Sequence, residues 1–480
     1  MTVIEQILVE YGPMMSGQLS KLLSSKENSS ENTASQKISR SKEVIKIKGF
    51  FSSQQSFCYL EEHKRSCDLY GLLSSAMFEN GRKYWYCLNA LKLNNGMILK
   101  EELECYTNYP IEKLKGHKPF SEVMSNFINA KIISYENDCY YFTPGFSSNI
   151  MNVVKSKVIS QIKRSVLNDF MNVIKNIGLV SYNTVELFAE YGKFRWGIKG
   201  VSYVSGLKNG NSPGFLLGDI ILGNSFYDID IEFFTRKIEH ILSFSKAPRL
   251  IPFLIVDNLH ENALNELKKK GIIVGFIGEL FGQKYVDALR ELVGMLNNIG
   301  TSLQDSPDKF TKLISELEVY NKTLVYNIKG SLFEYFVANL IQRNYPNNIE
   351  IGRIIYGENK KHELDVFAYN ADNVIVIECK ATQSAIDENE IIKWQRSVIP
   401  LVREYIRAQQ ILSDKNIIFE YWSISGFSPN ARKRLEDFKR STSAFTINYF
   451  DAFAIKTRID KLKNKSLSNT FNNYFLKSNL

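Results

Sequence analysis

Across 480 residues there are only six cysteines and five histidines. No C-x-x-C pair occurs among Cys58, Cys67, Cys87, Cys105, Cys139 and Cys379, which argues against a disulfide framework or a zinc ribbon. His63, His117, His240, His260 and His362 show neither H-E-x-x-H nor metal-finger spacing, so each reads as structural or surface. There is no G-x-x-x-x-G-K-[ST] loop, which excludes ATP hydrolysis by that device, and no Gly-rich fingerprint supports a nucleotide-sensing Rossmann-like domain. Neither G-x-S-x-G nor a Cys–His pairing is evident. No apolar run approaches the roughly 20 residues of a membrane span; the longest, such as Leu250 to Val256, are strand-sized. The N-terminus carries two Glu and no basic n-region, unlike a secretion signal. These absences predict a soluble, cytoplasmic protein with no membrane partner.

What is present is a core-forming chain, with 44% hydrophobic and 12% aromatic residues. Its length suits about three or four folding units. Basic residues outnumber acidic ones by 60 to 51, which excludes an acidic, tail-like or disordered protein. Residues 321–480 hold 23 basic and 17 acidic side chains, six of the nine net positive charges. That excess fits a polyanion partner, because neutralised phosphates release counterions. A net charge of this size is also common in proteins with no nucleic-acid role.

The first 64 residues read as helix, helix, helix and a two-stranded hairpin. Val3–Tyr11 has helical apolar spacing, Ser16 can cap a second helix, the polar stretch 24–34 reads as a loop, and ASQKISRSK follows. EVIKIKGF and SFCYLEE then make the hairpin. The order resembles the winged-helix family, in which the third helix enters the DNA major groove. The resemblance implies that Ser35, Gln36, Lys37, Ser39 and Arg40 face nucleic acid, with Gln36, Lys37 and Arg40 as principal contacts. Residues 65–150 end the same way, in a helix (PFSEVMSNFINA) and a hairpin across ENDC. Packing modules for protein contacts are the alternative for both.

Residues 151–280 read as an α/β middle domain. Its clearest part is a strand–helix–strand run, RLIPFLIVDN, HENALNELKKKG and IIVGFIG, of βαβ type. Residues 281–325 form a helical connector broken at TSLQDSPDK. No repeat of fixed period is visible.

The chemistry concentrates in residues 326–480. Gly330 and Ser331 open an apolar helix whose buried stripe is Leu332, Phe333, Phe336, Val337 and Leu340, yet Glu334 sits among them. ELDVFAY and NVIVIECKA read as adjacent strands joined by a turn at Asn370–Asn373. The run Val374 to Ile377 predicts a strand buried on both faces, ending in Glu378 and Lys380. Side chains two apart share one face about 7 Å apart, and Asp365 lies on the neighbouring strand about 4.8 Å across. Two carboxylates buried together need a cation. A hard divalent ion supplies it, with the Cys379 carbonyl as a further oxygen ligand. An ammonium at Lys380 would orient or deprotonate a water and stabilise phosphate charge.

These residues resemble the PD-(D/E)xK nuclease superfamily, and more narrowly its Mrr-type and Holliday-resolvase-like branch, over about residues 325–455. The resemblance implies catalytic roles for Glu334, Asp365, Glu378, Lys380 and Gln395, with Asp365, Glu378 and Cys379 holding Mg2+ (Mn2+ as substitute). No proline precedes Asp365 in His362-Glu363-Leu364-Asp365, a departure at a variable position. A surface ion-pair network on an α/β domain is the bland alternative. The helix ARKRLEDFKR, with Arg432 and Lys433, and the tail RIDKLKNK either follow a phosphate backbone or form solvated faces.

The middle region echoes the same order. Glu186 or Glu190 lies in or after a helix, Asp219 ends GFLLGD, and Glu232 lacks a lysine two positions on. It is a degenerate nuclease-like lobe or an ordinary α/β domain, in which Arg236 and Lys237 could contact phosphate.

The expectation is therefore an α/β multidomain protein. It has winged-helix-like modules, an α/β middle domain and a C-terminal restriction-endonuclease-like domain with a mixed central sheet. Its activity would be Mg2+-dependent DNA endonuclease action, with a prokaryotic restriction or phage-defence role by analogy. Double-stranded DNA is the expected partner, with a homodimer or a defence-system partner protein beside it. The alternatives are a non-catalytic DNA-binding regulator on a nuclease-like scaffold and a partner- or nucleotide-gated nuclease effector.

Overall fold

The computed structural model describes residues 1–147, 152–208, 212–244, 247–297, 307–344, 348–357 and 360–476. The chain is α/β and multidomain, with two three-stranded and two five-stranded sheets among the described residues. It forms two compact units: Met1–Met151 with Lys163–Leu280, and Asn152–Ile162 with Phe281–Leu480. No helix of the described residues is long and apolar enough to cross a membrane.

The first unit opens with the helices Val3–Tyr11, Ser16–Glu27 and Glu31–Arg40 and the strands β1 (Met14–Met15), β2 (Ile45–Ile47) and β3 (Phe57–Tyr59), in the antiparallel order β1-β3-β2. Thr2 and Glu5 close a capping box on the first helix. Ser16 is not a cap. It is the first helical residue, and its hydroxyl accepts the Ser56 N–H at 3.1 Å. The stretch 24–34 is mostly helical rather than a loop. Asn28, at φ +49°, ends one helix, and Ser30 caps the next by accepting the Thr33 N–H at 3.2 Å. Polar residues read as loop formers when they are in fact caps.

The same succession recurs in the helix Arg82–Leu93, β4 (Met97–Leu99), the helices Lys100–Cys105 and Phe120–Asn129, and the hairpin β5 (Ile133–Glu136) and β6 (Cys139–Phe142), with order β4-β6-β5. The five-stranded sheet of this unit follows the helix Val153–Asn176. It runs β7 (Glu186–Tyr191), β8 (Phe194–Ser202), β9 (Gly214–Phe226), β10 (Leu250–Leu259) and β11 (Ile273–Phe276) in chain order, the first three antiparallel and the last three parallel. Glu186 and Glu190 therefore lie on an edge strand that follows a helix, not in the helix itself. Asp219 lies within β9, and Glu232 begins the helix Glu232–Leu242.

The second unit contains a sheet of identical topology. β12 (Asn348–Tyr356), β13 (Lys361–Tyr369) and β14 (Asn373–Lys380) are antiparallel; β14, β15 (Asn416–Ser423) and β16 (Thr446–Phe450) are parallel. The helix Lys329–Asn344 precedes it, as Val153–Asn176 precedes β7. The two sheets share one strand order, in keeping with the echo of the C-terminal order read in the middle region, although Glu232 lacks a lysine two positions on. The connector contributes the helices Gln283–Asn297, Pro307–Tyr320 and Lys322–Asn327; residues 301–306 of its expected break lie outside the described residues.

Leu332, Phe333, Phe336, Val337 and Leu340 are fully buried, and Val374 to Ile377 are buried on both faces of the sheet. The turn between β13 and β14 is fixed by Asn370, whose side chain accepts the N–H groups of Asp372 and Asn373 at 2.9 and 2.8 Å. The helix between β14 and β15 has a widened π-type turn at Trp394–Val398 between Glu388–Lys393 and Ile399–Arg407. Pro400 accounts for it: the ring has no N–H to give the Arg396 carbonyl and crowds it.

Candidate active site

Extending the β13–β14 register one step past its last pair, Val366 with Ile377, sets Asp365 opposite Glu378. There the ladder stops, and the Asp365 carboxylate replaces the missing backbone bond by accepting the Cys379 N–H at 2.7 Å. β14 continues beside β15 as far as Lys380. Period-two alternation puts Glu378 and Lys380 on one face, and Lys380 Nζ donates to Glu378 Oε1 at 2.5 Å while lying 3.9 Å from Asp365 Oδ2. The expected convergence of Asp365, Glu378 and Lys380 is present. Cys379 is buried, with its side chain on the opposite side of the strand from that pair.

Glu334 is buried on the helix Lys329–Asn344, and its Oε2 has no hydrogen-bond partner among the described residues. Burial first, then the charge of Asp365, pushes its carboxyl well above the ordinary range, against the pull of Lys157 and Lys380. Burial and the charge of Glu378 likewise push Asp365 up to about 7. Burial works against Glu378 as well, but His362 and Lys380 prevail and hold it down at about 2. The pair thus carries one firm anion and one carboxyl that keeps a proton to near neutrality. Burial opposes the charge on Lys380, yet the two carboxylates raise its pKa, so it stands as an ammonium and a donor.

These features fit a hard divalent ion. Every candidate ligand is an oxygen, one buried carboxylate oxygen is orphaned, and a second carboxyl is poised to exchange its proton for a cation. No group of three or more His, Cys, Asp or Glu side chains forms a ready cage among the described residues.

Gln395 sits in the π-type turn, and its Oε1 accepts Arg434 Nε at 2.8 Å. Among the described residues no hydrogen bond joins it to Glu334, Asp365 or Glu378, and its bond to Arg434 ties it to the neighbouring helix. Trp394 is core, edge-on to Phe419 and Tyr421. Gln36, Lys37 and Arg40 are all exposed on the third helix, whose Ala34 and Ile38 face inward; Lys37 also pairs with Glu27 at 2.7 Å. Arg432 and Lys433 are exposed on the helix Pro429–Ser441, with Arg432 2.7 Å from Asp451.

Three neighbours of the site escaped sequence reading. His362 Nε2 lies 3.6 Å from Glu378 Oε2, longer than a hydrogen bond. Glu363 shares a strand face with Asp365 and holds Lys157, whose Nζ donates to both of its oxygens at 2.8 Å. The alternation in Glu363-Leu364-Asp365 was a usable signal for Glu363. Nothing local marks Lys157, about two hundred positions upstream.

In the first unit, Lys237 does not face phosphate. It is wholly buried, 2.7 Å from Asp219 Oδ2, and also donates to the carbonyls of Cys105 and Arg195 at 2.7 and 2.9 Å. Asp219 further accepts the Gly197 N–H at 2.6 Å, and Glu232 pairs with Arg82 and Arg236.

No family model matches the chain, and no curated protein matches it. Among solved structures it is similar to the protein of unknown function AF1548 (16% identity over 28% of this chain and 67% of that one, TM-score 0.19). It is also similar to Can2 from Sulfobacillus thermosulfidooxidans, solved with cyclic tetra-adenylate (14%, 48% and 80%, TM-score 0.22), and to protein VC1899 from Vibrio cholerae (16%, 47% and 55%, TM-score 0.16). At such scores these likenesses carry no argument about what this chain does.

Proposed function

We propose that the second unit is a divalent-metal-dependent nuclease of the PD-(D/E)xK type that hydrolyses phosphodiester bonds in DNA. The observation that carries this reading is the meeting of Asp365, Glu378 and Lys380 where β13 and β14 part. A sealed structural ion pair needs one acid and one base. This site holds an extra buried carboxyl, Glu334, with an unpartnered oxygen.

Asp365 and Glu378 would hold Mg2+, which when bound supplies charge to a phosphate and lowers the pKa of water. The Cys379 carbonyl is the proposed third ligand. Lys380, held as an ammonium, donates a hydrogen bond to an attacking water or to the non-bridging phosphate oxygen, which favours orientation over proton abstraction. Glu334 raises the negative potential around the ion and is the group through which a further water is held. The exposed Gln36, Lys37 and Arg40 serve as duplex contacts from a winged-helix-like module, and Arg432 and Lys433 as phosphate contacts.

The test is full-length protein with plasmid and Mg2+ or Mn2+, beside Lys380→Ala and Asp365→Ala. Cleavage by the parent chain alone supports the reading. Absence of cleavage on single- and double-stranded DNA, or undiminished cleavage by Lys380→Ala, overturns it.

A further inference from the structure

The second unit is not built from one stretch of chain, because residues 152–162 belong to it. That short segment is pressed against the sheet at the site. On β12, Gly352 has φ +66°, and a Cβ placed there would meet Val154 Cγ2 at 3.0 Å, Val153 Cβ at 3.3 Å and Glu363 Oε1 at 3.4 Å. The β12–β13 register sets Gly352 across from Asp365, between the pairs Ile351 with Val366 and Arg353 with Leu364. A glycine with no side chain thus lets the first turn of the helix Val153–Asn176 settle beside the carboxylates. One turn further on, Lys157 reaches both oxygens of Glu363 at 2.8 Å.

The local charge count gives this contact a meaning. Glu334, Glu363, Asp365 and Glu378 are four carboxyl groups, and Lys157 and Lys380 are the ammoniums set against them. Lys157 is the ammonium paired with Glu363, as Lys380 is with Glu378. Without Lys157, Glu363 would face an approaching phosphodiester as an unpaired carboxylate on the same strand face as Asp365.

We propose that Lys157 is a positioning residue of the nuclease site, which masks Glu363 so that the polyanionic substrate can approach while the divalent ion is retained. The inference rests on the nuclease reading and deepens it. The two ligands should respond in opposite directions to loss of one positive charge, since a more negative site favours the cation and disfavours the phosphate. A residue that only supports the fold has no reason to split them.

The experiment uses the full chain and Lys157→Met, Lys157→Arg and the double variant Lys157→Met/Glu363→Gln. Duplex binding is read in Ca2+, ion binding by Mn2+ calorimetry, and folding by thermal melting. For Lys157→Met the expected result is about five- to tenfold weaker duplex binding and a raised KM. Mn2+ binding should be equal or tighter, and kcat within a few-fold. Lys157→Arg and the double variant should regain duplex affinity. If the parent chain cleaves DNA and Lys157→Met binds duplex unchanged, this inference fails and the nuclease reading stands. If Lys157→Met loses duplex, ion and melting temperature together, and the charge-restoring double variant rescues none of them, the role is structural and the inference also fails. A parent chain that neither binds nor cleaves DNA with any divalent ion overturns both.

Discussion

Asp219 and Lys237 lie 2.7 Å apart with neither side chain exposed, whereas Lys380 meets Glu378 at 2.5 Å with both side chains partly open. Two sheets of one topology therefore treat an acid–lysine pair in opposite ways. In the first unit the ammonium is spent on three protein oxygens, those of Asp219, Cys105 and Arg195. In the second, two carboxylates share it and solvent reaches it.

Removing Lys237 should be costly. Lys237→Met leaves Asp219 buried, already pushed upward by burial, and without its counter-charge. We expect a loss of about 3–5 kcal/mol by denaturant unfolding, and a much smaller loss for Asp219→Leu/Lys237→Met, because breaking a buried pair costs more than replacing it. Equal losses in the two variants would count against the pair as the cause.

Stability of the metal-free protein should depend on pH with a particular sign. Asp365 titrates at about 7 folded against an ordinary 3.8, so the folded state binds more protons between those values and loses stability as pH rises through that window. Glu378 is held at about 2 against 4.5, so its contribution is present above 4.5 and is lost as pH falls toward 2. Melting in chelator from pH 4 to 8 should show the downward trend; since Glu334 is also pushed up, Asp365→Asn should reduce it and Asp365→Asn with Glu334→Gln should flatten it. A trend that survives the double change belongs to another group.

Gly352→Ala should destabilise the second unit by about 1–3 kcal/mol, since φ is +66° and Val154 stands 3.0 Å from the new methyl. Thermal melting reads this directly, and an unchanged transition would show that the first turn of the helix yields.

Lys37→Ala and Arg40→Ala should weaken duplex binding for all sequences alike, and each should lower the salt slope by about one. Titrations at several salt concentrations test this. An unchanged slope would remove the third helix from the interface.

The strands of the candidate site were legible because chemistry and period coincide there. Val374 to Ile377 mark a doubly buried strand, and Glu378 and Lys380 then break the apolar run on one face. Glu334 was legible as the one charge in an apolar helical stripe. What stayed hidden depends on long-range pairing. The shared strand order of the two sheets surfaced in the sequence only as the middle region's incomplete echo, and Lys157 reaches the site through the fold alone. At Ser16 and in 24–34, local polarity misled, because serine and asparagine end and begin helices as readily as they make loops.

The helix Val153–Asn176 has a consequence for how this protein can be cut into parts. Because 152–162 belongs with Phe281–Leu480 while Lys163–Leu280 belongs with the N-terminal residues, no single cleavage point separates the two units. A fragment starting near residue 326, the boundary that motif spacing suggests, leaves behind Val153, Val154 and Lys157 and uncovers the hollow above Gly352. Truncated forms made for expression should keep that upstream segment, and gene fusions or insertions are better placed outside it.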